Sequence, residues 1–269
     1  MTRSPGNPAE SNATMERGPS RELLLQIDHV GKDFGNFTAV REVSLDVHEG
    51  DLKAIIGPNG AGKTTLFNML SGQLRPSRGR VLYRGLDIGK LPTHRLSHLG
   101  IGRSFQLTNV FRGLTVLENV RIATQRRLHR DYDFVRRAVS LTATRELAEQ
   151  ILETIGLAPY RRTLASTLSH GDQRRLEVGI VLAGDPRLVL LDEPTSGMSR
   201  EEARATMTLL RDIARERTVL FVEHNMEFVM AISQSIVVMQ SGAVIAQGPP
   251  SNIRVDPAVR RAYLGNLYE

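Results

Sequence analysis

The residues with the most specific chemistry form a glycine-rich run that ends in a lysine and two threonines. This run, GPNGAGKTT, matches the spacing G-x-x-x-x-G-K-[ST]. Glycines let backbone N–H groups turn towards phosphate oxygens, and a helix that starts here adds partial positive charge. The lysine neutralises phosphate charge, and the first threonine hydroxyl ligates Mg²⁺. We therefore predict a nucleoside triphosphate site made by Gly57, Pro58, Asn59, Gly60, Ala61, Gly62, Lys63, Thr64 and Thr65.

Two adjacent acids follow a short apolar run far downstream, in the sequence LVLLDE. Asp192 is placed to hold Mg²⁺, directly or through water. Glu193, one residue later, is placed to orient or deprotonate an attacking water. The structural alternative is a strand end that meets solvent with two surface acids. The phosphate-binding run elsewhere in the chain favours the catalytic interpretation.

Three more side chains have useful chemistry and also a plain structural alternative. Gln106 in GRSFQLTNV can contact Mg²⁺ or water, or it is a surface amide of a loop. His224 ends the apolar run TVLFVEH and can donate to a γ-phosphate, or it makes only a local hydrogen bond. Phe34 can stack on a base, or it is an ordinary core aromatic.

A second glycine-bearing helix start lies in TLSHGDQRRLEVGIVLAG. Ser169 and Asp172 have the spacing of a capping box, in which each side chain bonds the other residue's backbone N–H. Gly171 inside it costs about 0.5–1 kcal/mol against alanine if it lies within the helix. Close backbone approach by a ligand would account for that cost. We therefore predict a second anion site here, which involves Ser169 and Gly171.

The elements that must position these residues alternate between strands and helices. Short apolar or alternating runs predict strands, and apolar residues three or four apart predict helices. From about residue 107 to 165 the pattern is helical, which predicts a separate helical segment. The predicted strands are 43–47, 52–57, 80–85, 187–194, 218–225 and a hairpin at 235–248 that turns at Gln240–Gly242, and the predicted helices include 201–216 and a short one after residue 256.

Composition limits the classes that need consideration. The chain has 269 residues, 41% of them hydrophobic and 24% charged, so it is long and apolar enough for a packed core. It has no cysteine, which excludes disulfides, zinc thiolate sites and iron–sulfur clusters. Residues 1–21 are rich in Pro, Ser, Asn and Gly and lack the apolar core of a signal peptide, so we predict a disordered tail. No apolar run is long enough to cross a bilayer, which favours a cytoplasmic chain.

The net charge of +6 has two explanations, an anionic partner or an organism whose proteins are generally rich in arginine. The basic run from Arg126 to Arg137 lies in the helical segment, and neither exposed aromatics between the basic residues nor a known nucleic-acid-binding module is evident there. We expect no nucleic acid. A solvated helical face is favoured, and contact with lipid headgroups or a membrane subunit is the alternative.

Five motifs in one order, GPNGAGKTT, SFQ, LSHGDQ, LLDEPTSG and VEH, resemble the ATP-binding subunits of ABC transporters. The resemblance covers about residues 22–254. It implies an α/β fold, a P-loop NTPase core with an antiparallel β subdomain and a helical subdomain at about 107–165. Residues 255–269 would form a C-terminal helical tail.

The resemblance also implies a role for each motif residue, with ATP and Mg²⁺ as cofactors. Phe34 would stack on adenine, and Gln106 would contact the metal and link the site to a membrane partner. Glu193 would be the catalytic base and His224 the switch histidine. Ser169 and Gly171 would belong to the family signature, which faces the nucleotide of a second subunit.

The closer resemblance is to the ATPase subunits of branched-chain amino acid importers. It rests on GIGRSFQLTNVFRGLTVLENV, EHNMEFVM and AVIAQGPPSNIRVDPAVRRAYLG. It implies a second ATPase subunit, identical or different, two membrane permeases and, indirectly, a periplasmic or extracellular solute-binding protein. The chain would then lie at the cytoplasmic face of the inner membrane. The alternatives are a urea importer, a lipopolysaccharide-type exporter, and a non-transport ABC ATPase that acts on DNA or ribosomes.

Three positions depart from the family pattern. His170 stands where a glycine is usual, Asp172 where a glutamine is usual, and Ser199 where an aspartate is common. These departures affect the expected coupling between two subunits rather than the nucleotide chemistry. We also expect the segment from Gln106 to Glu118 to receive the membrane partner, so that a charge at Val110 or Phe111 would uncouple transport.

Overall fold

The computed structural model describes residues 21–104, 110–128 and 137–264. Outside the described residues lie Gln106, all but the last residue of the predicted tail at 1–21, most of the basic run and the last five residues. All the other predicted site residues lie within the described ranges.

An antiparallel sheet opens the fold, with strand order β2-β1-β4-β5. β1 (Leu23–Phe34) and β2 (Phe37–His48) form a long hairpin. β4 (Arg78–Tyr83) pairs with the other edge of β1, and β5 (Leu86–Asp87) pairs with β4. From Val43 to His48, buried residues of β2 alternate with more exposed ones, which is the pattern of a sheet with one buried face.

The central sheet has six strands in the order β10-β9-β3-β8-β7-β6. The pairs that join β9, β3, β8, β7 and β6 are all parallel, so their carboxyl ends share one edge. β3, β7 and β8 are buried at every residue, as expected where both faces of a parallel sheet are covered. The strands are β3 Leu52–Ile56, β6 Ile101–Arg103, β7 Leu188–Asp192, β8 Thr218–Val222, β9 Ser235–Gln240 and β10 Ala243–Gly248.

Helices cover both faces of this sheet. α3 and α4 lie in the segment 107–165 for which the sequence predicts helices, and both pack against α5, which follows it. Among the described residues, no helix has both the length and the apolar character needed to span a membrane. The helices are α1 Lys63–Leu70, α2 Thr93–His98, α3 Val116–Leu128, α4 Arg137–Thr154, α5 His170–Leu182, α6 Arg200–Ala214, α7 Met226–Ile232, α8 Pro250–Val255 and α9 Pro257–Leu264.

The central sheet separates two hydrophobic clusters, because successive residues of a strand point to opposite faces. Leu191 and Phe221 lie in the cluster that includes α3, α4, α5 and α6. Leu190 and Leu220, their neighbours in sequence, lie in the cluster formed with α1 and the antiparallel sheet. The predicted α/β class is therefore confirmed, with its antiparallel sheet and helical layer.

The predicted elements agree with the structure in kind. The β9–β10 hairpin turns at Ser241 and Gly242, within the predicted turn. α4 ends at Thr154, and Gly156 follows with a positive φ of +70°, the conformation that a glycine stop supplies.

Candidate functional site

The phosphate-binding loop leaves the carboxyl end of β3 and enters α1. Gly62 is the residue before the helix, with a φ of +95°, and a Cβ at this position would lie 2.5 Å from the carbonyl oxygen of Ala39. Both facts require glycine here. No side chain caps the start of α1. The first backbone N–H groups of α1 therefore have no side-chain acceptor and suit an anion.

Lys63 lies at the centre of this loop and is only 5% exposed. Its ammonium group donates to the carbonyl oxygens of Gly57 at 2.7 Å and Pro58 at 2.9 Å. Burial lowers the pKa of Lys63, and the negative charges of Glu193 and Asp192 oppose that shift. The structure thus brings the lysine and both predicted acids into one electrostatic neighbourhood.

Asp192 ends β7 and is 2% exposed. Its Oδ2 lies 3.3 Å from the Arg103 guanidinium, whereas its Oδ1 has no hydrogen-bond partner among the described residues. Burial raises the pKa of Asp192, and the charge of Arg103 counters that effect. An unpartnered buried carboxylate oxygen is costly unless another group meets it, and a cation is one such group.

The donor set fits a magnesium ion that is shared with phosphate. Within the described ranges, no group of three or more His, Cys, Asp and Glu residues is arranged to hold a metal. Mg²⁺ commonly binds through one or two carboxylates, several waters and substrate phosphates, so a single aspartate suffices on the protein side. The exposed hydroxyl-bearing Thr64, in the first turn of α1, is a second candidate ligand.

Glu193 and His224 meet just beyond the ends of neighbouring strands. The imidazole Nε2–H of His224 donates to Glu193 Oε1 at 2.8 Å. Glu193 has a φ of +49°, a left-handed conformation that costs a non-glycine residue about 1–2 kcal/mol. Strain of this kind is concentrated at functional sites. A carboxylate held by an imidazole in this way is equipped to accept a proton from water.

Glu223, between β8 and His224, has a supporting position that the sequence analysis missed. It is 3% exposed and accepts backbone N–H bonds from Thr195 at 2.9 Å, His224 at 2.7 Å and Asn225 at 3.1 Å. It therefore ties the loop after Glu193 to the end of β8. An acid directly after a buried strand and next to a candidate histidine was the available sequence signal.

Arg103 is the other missed residue. It ends β6, and its guanidinium contacts Asp192 and Ser71 and lies 5.4 Å from the centroid of the Phe67 ring. Burial lowers the pKa of Arg103, and the charge of Asp192 opposes that shift. The side chain thus links the metal-site candidate to the end of α1. A single arginine gave no periodicity or motif that would single it out.

The helix α5 begins as predicted, but the predicted capping box is only half formed. Ser169 caps the helix and its Oγ accepts the Asp172 backbone N–H at 3.1 Å. The Asp172 carboxylate pairs instead with Arg175. Aspartate is one methylene shorter than the Glu or Gln of a capping box, which accounts for the missing return bond. A complete capping box occurs at α6, between Ser199 and Glu202.

The space against Gly171 is filled by this chain's own Glu202. Ser169 Oγ donates to Glu202 Oε1 at 3.1 Å, and a Cβ at position 171 would lie 2.5 Å from the same oxygen. Hydrogen bonds lower the pKa of Glu202, first from the Ser199 backbone and side chain, then from Ser169 and the Gly171 backbone. His170 Nε2–H also donates to the Ser196 carbonyl oxygen at 3.1 Å. The start of α5 is thus joined to the segment that follows the two acids.

Phe34 closes the β1–β2 hairpin and is 48% exposed, so it is not a core aromatic. The Lys32 ammonium lies 5.3 Å from its ring centroid. Ala39, in the same hairpin, lies against Gly62, which places the hairpin beside the phosphate-binding loop. The exposed ring of Phe34 is therefore available for stacking on a base.

Comparison with known proteins decides the family. The family described as ABC transporter matches residues 40–196, which is more than half of the chain. The chain belongs to the ABC transporter family. A second family, described as branched-chain amino acid ATP-binding cassette transporter, matches residues 243–267.

Individual relatives of this ABC ATPase agree with that assignment. It is 38% identical to the high-affinity branched-chain amino acid transport ATP-binding protein LivG of Salmonella typhimurium, over 90% of this chain and 98% of LivG. It is 35% identical to the lipopolysaccharide export system ATP-binding protein LptB of Acidithiobacillus ferridurans, over 91% of this chain and 98% of LptB. The ADP conformation of MJ1267, an ATP-binding cassette of an ABC transporter, matches with a TM-score of 0.78 and 31% identity, over 90% of this chain and 99% of that one. This ABC ATPase accordingly binds and hydrolyses ATP.

Proposed function

We propose that this ABC ATPase powers the uptake of branched-chain or related amino acids through separate membrane subunits. The observation that carries the proposal is the match of residues 243–267 to the family of branched-chain amino acid cassettes. That match falls outside the part shared by ABC transporters in general, which ends at residue 196. Relatives named for branched-chain amino acid transport, LivG and BraF, support it over nine-tenths of the chain.

In this proposal, the nucleotide chemistry is divided among the motif residues. The loop Gly57–Thr65 holds the phosphates, with Lys63 turning from its loop carbonyls to the β- and γ-phosphates. Thr64, Asp192 and Gln106 would hold Mg²⁺, which would neutralise phosphate charge. Glu193 takes the proton of the attacking water, and His224 turns its Nε2–H from Glu193 to the γ-phosphate when nucleotide binds. Phe34 stacks on the adenine ring.

A second subunit, identical or different, completes each site. The start of α5, with Ser169 and Gly171, would face the γ-phosphate of the nucleotide held by the partner. The helix N-terminus and the glycine backbone N–H suit that charge. ATP would then join two subunits, and its hydrolysis would release them.

A groove of about 1050 Å³ between α2, β6, α3 and α5 suits the membrane subunit. Glu177 lines it, 5% exposed and 2.8 Å from Arg174, with an Oε1 that has no partner among the described residues. That oxygen would accept an N–H or O–H from an inserted helix. Arg103, in contact with Asp192, lines the same groove, so the docking surface and the metal site share one side chain.

This ATPase subunit would lie at the cytoplasmic face of the inner membrane, and a solute-binding protein would act through the permeases.

Phe111 is the residue at which to test membrane docking, because its side chain is 58% exposed beside the groove-forming helix α3. Phe111→Glu should leave ATP binding unchanged and lower solute uptake at least tenfold per ATP hydrolysed. Val110, the other residue first proposed for this test, is 8% exposed and lies in the core. A charge there would destabilise the fold, so that part of the expectation was wrong. Uptake and ATPase rate are compared in vesicles that contain the assembled transporter.

Leu86→Glu is the matched control for Phe111→Glu. Leu86 is 49% exposed in β5, on the antiparallel sheet, and should tolerate the same apolar-to-charged change with normal coupling. Wild-type uptake per ATP in the Phe111 variant would place the docking surface elsewhere.

Deletion of the gene tests the proposed cargo. Cells without this chain should lose most of their high-affinity uptake of labelled leucine, isoleucine and valine. The wild-type chain should restore it, whereas the Glu193→Gln chain should not. Urea uptake and lipopolysaccharide delivery are measured in the same strains. The similarity to LptB makes export the second candidate, and a deletion that impairs lipopolysaccharide delivery with normal amino acid uptake would favour it.

A further inference from the structure

The anion-binding start of α5 already holds a carboxylate from its own chain. Glu202 Oε1 accepts from the Ser169 hydroxyl and lies 2.5 Å from the position that a Cβ of residue 171 would take. Both Ser169 and Gly171 are residues that the proposed function assigns to the partner's γ-phosphate. One helix start would therefore have two competing anions.

Glu202 is held in this position by the geometry of α6. Its Oε2 accepts the backbone N–H of Ser199 at 2.9 Å, and its own N–H donates to Ser199 Oγ at 3.3 Å. The two oxygens of one carboxylate thus serve two helices, Oε2 the start of α6 and Oε1 the start of α5. Glu201, the preceding residue, is exposed and has no side-chain hydrogen bond to either helix start among the described contacts.

We propose that Glu202 is a resident competitor for the composite nucleotide site, and that its carboxylate must leave Ser169 and Gly171 before the partner's γ-phosphate can bind there. This inference rests on the proposed pairing of subunits. In the unpaired subunit the carboxylate satisfies the start of α5. On pairing, a phosphate replaces it, since two negative groups cannot share the same donors without repulsion.

The release needs only a small movement. Oε2 can stay on the Ser199 N–H, so the capping box of α6 persists while Oε1 turns away from Ser169. Release costs the free energy of one hydrogen bond to a charged carboxylate and the favourable interaction of that negative charge with the start of α5. The incoming phosphate restores both. Competition between the Glu202 carboxylate and the γ-phosphate therefore raises the ATP concentration that is needed for pairing. It does not change the affinity of each subunit for its own nucleotide.

The test measures nucleotide-dependent pairing of the full-length chain with the ATPase subunit that co-purifies with it, or with a second copy. Both members carry Glu193→Gln, so that hydrolysis does not release them. Glu202→Gln is then added, because glutamine preserves a capping box and removes the charge. We expect the ATP concentration for half-maximal pairing, measured by analytical ultracentrifugation, to fall about fivefold, the factor that corresponds to roughly 1 kcal/mol.

Glu201→Gln is the matched control, since it removes the same charge from the neighbouring position and should leave the midpoint unchanged. Glu202→Asp keeps the charge but is too short to reach Ser169, so its midpoint should also fall. Equal midpoints for the Glu202→Gln and parent chains, or an equal fall with Glu201→Gln, would overturn the inference. Calorimetry on the unpaired subunit distinguishes failure of this inference from failure of the proposed composite site. A chain that binds ATP in calorimetry but never pairs would contradict the composite site itself.

Discussion

Glu193→Gln should leave ATP binding intact and lower the turnover of the assembled ATPase by about 10²–10⁴, the usual contribution of a general base. Glutamine has the size of glutamate and can still accept the His224 hydrogen bond, which is 2.8 Å long in the wild-type chain. It cannot take a proton from water. Phosphate release gives the turnover, and calorimetry gives the affinity for ATP. The same variant should accumulate as an ATP-bound pair of subunits.

A suitable control for this substitution is Glu227→Gln, at an exposed acid in the first turn of α7. It should retain normal turnover, which shows that loss of one carboxylate near the strand ends is not sufficient. Wild-type turnover in the Glu193 variant, with its partner subunits present, would remove Glu193 from the role of base.

Two inactive chains should regain activity when they are mixed, if each site is built from two subunits. Lys63→Ala removes the buried ammonium from the phosphate-binding loop. Gly171→Asp places a Cβ within 2.5 Å of Glu202 and adds a negative charge at the start of α5. Each change in both subunits should abolish turnover. A mixed pair contains one intact site, with Lys63 from one chain and Gly171 from the other, so part of the activity should return.

The mixing experiment needs proof that the two variants pair, which differently tagged chains provide by co-purification. Lasting inactivity in a demonstrated mixed pair would mean that Ser169 and Gly171 act on the nucleotide of their own chain. Where the natural partner is a different ATPase subunit, the two changes are placed on the two different chains.

The sequence predicted those parts of the fold that depend on local order. Continuous apolar runs marked β3, β7 and β8. The acids and the histidine were each predicted to follow a buried apolar run, and the carboxyl ends of parallel strands share one edge. The structure does place Glu193 and His224 in contact there.

Contacts between residues distant in sequence could not be read in the same way. Glu202 lies 33 positions from Ser169, and Arg103 lies 89 positions from Asp192. No spacing rule connects such pairs, since they depend on how helices and strands pack. The difference in exposure between Val110 and Phe111 could not be predicted either. Adjacent apolar residues in a loop have no periodicity that distinguishes a buried side chain from an exposed one.

The position of the central sheet between two hydrophobic clusters has a consequence for how this chain tolerates change over time. Leu190 and Leu191 are neighbours, yet a loss of volume at one opens a cavity against the antiparallel sheet and at the other against the helical layer. A compensating enlargement must come from the same side. A larger residue at Leu220 can fill a cavity at Leu190, and a larger residue at Phe221 can fill one at Leu191, but neither can fill both. Substitutions on the two faces of β7 should therefore accumulate as two independent sets of paired replacements.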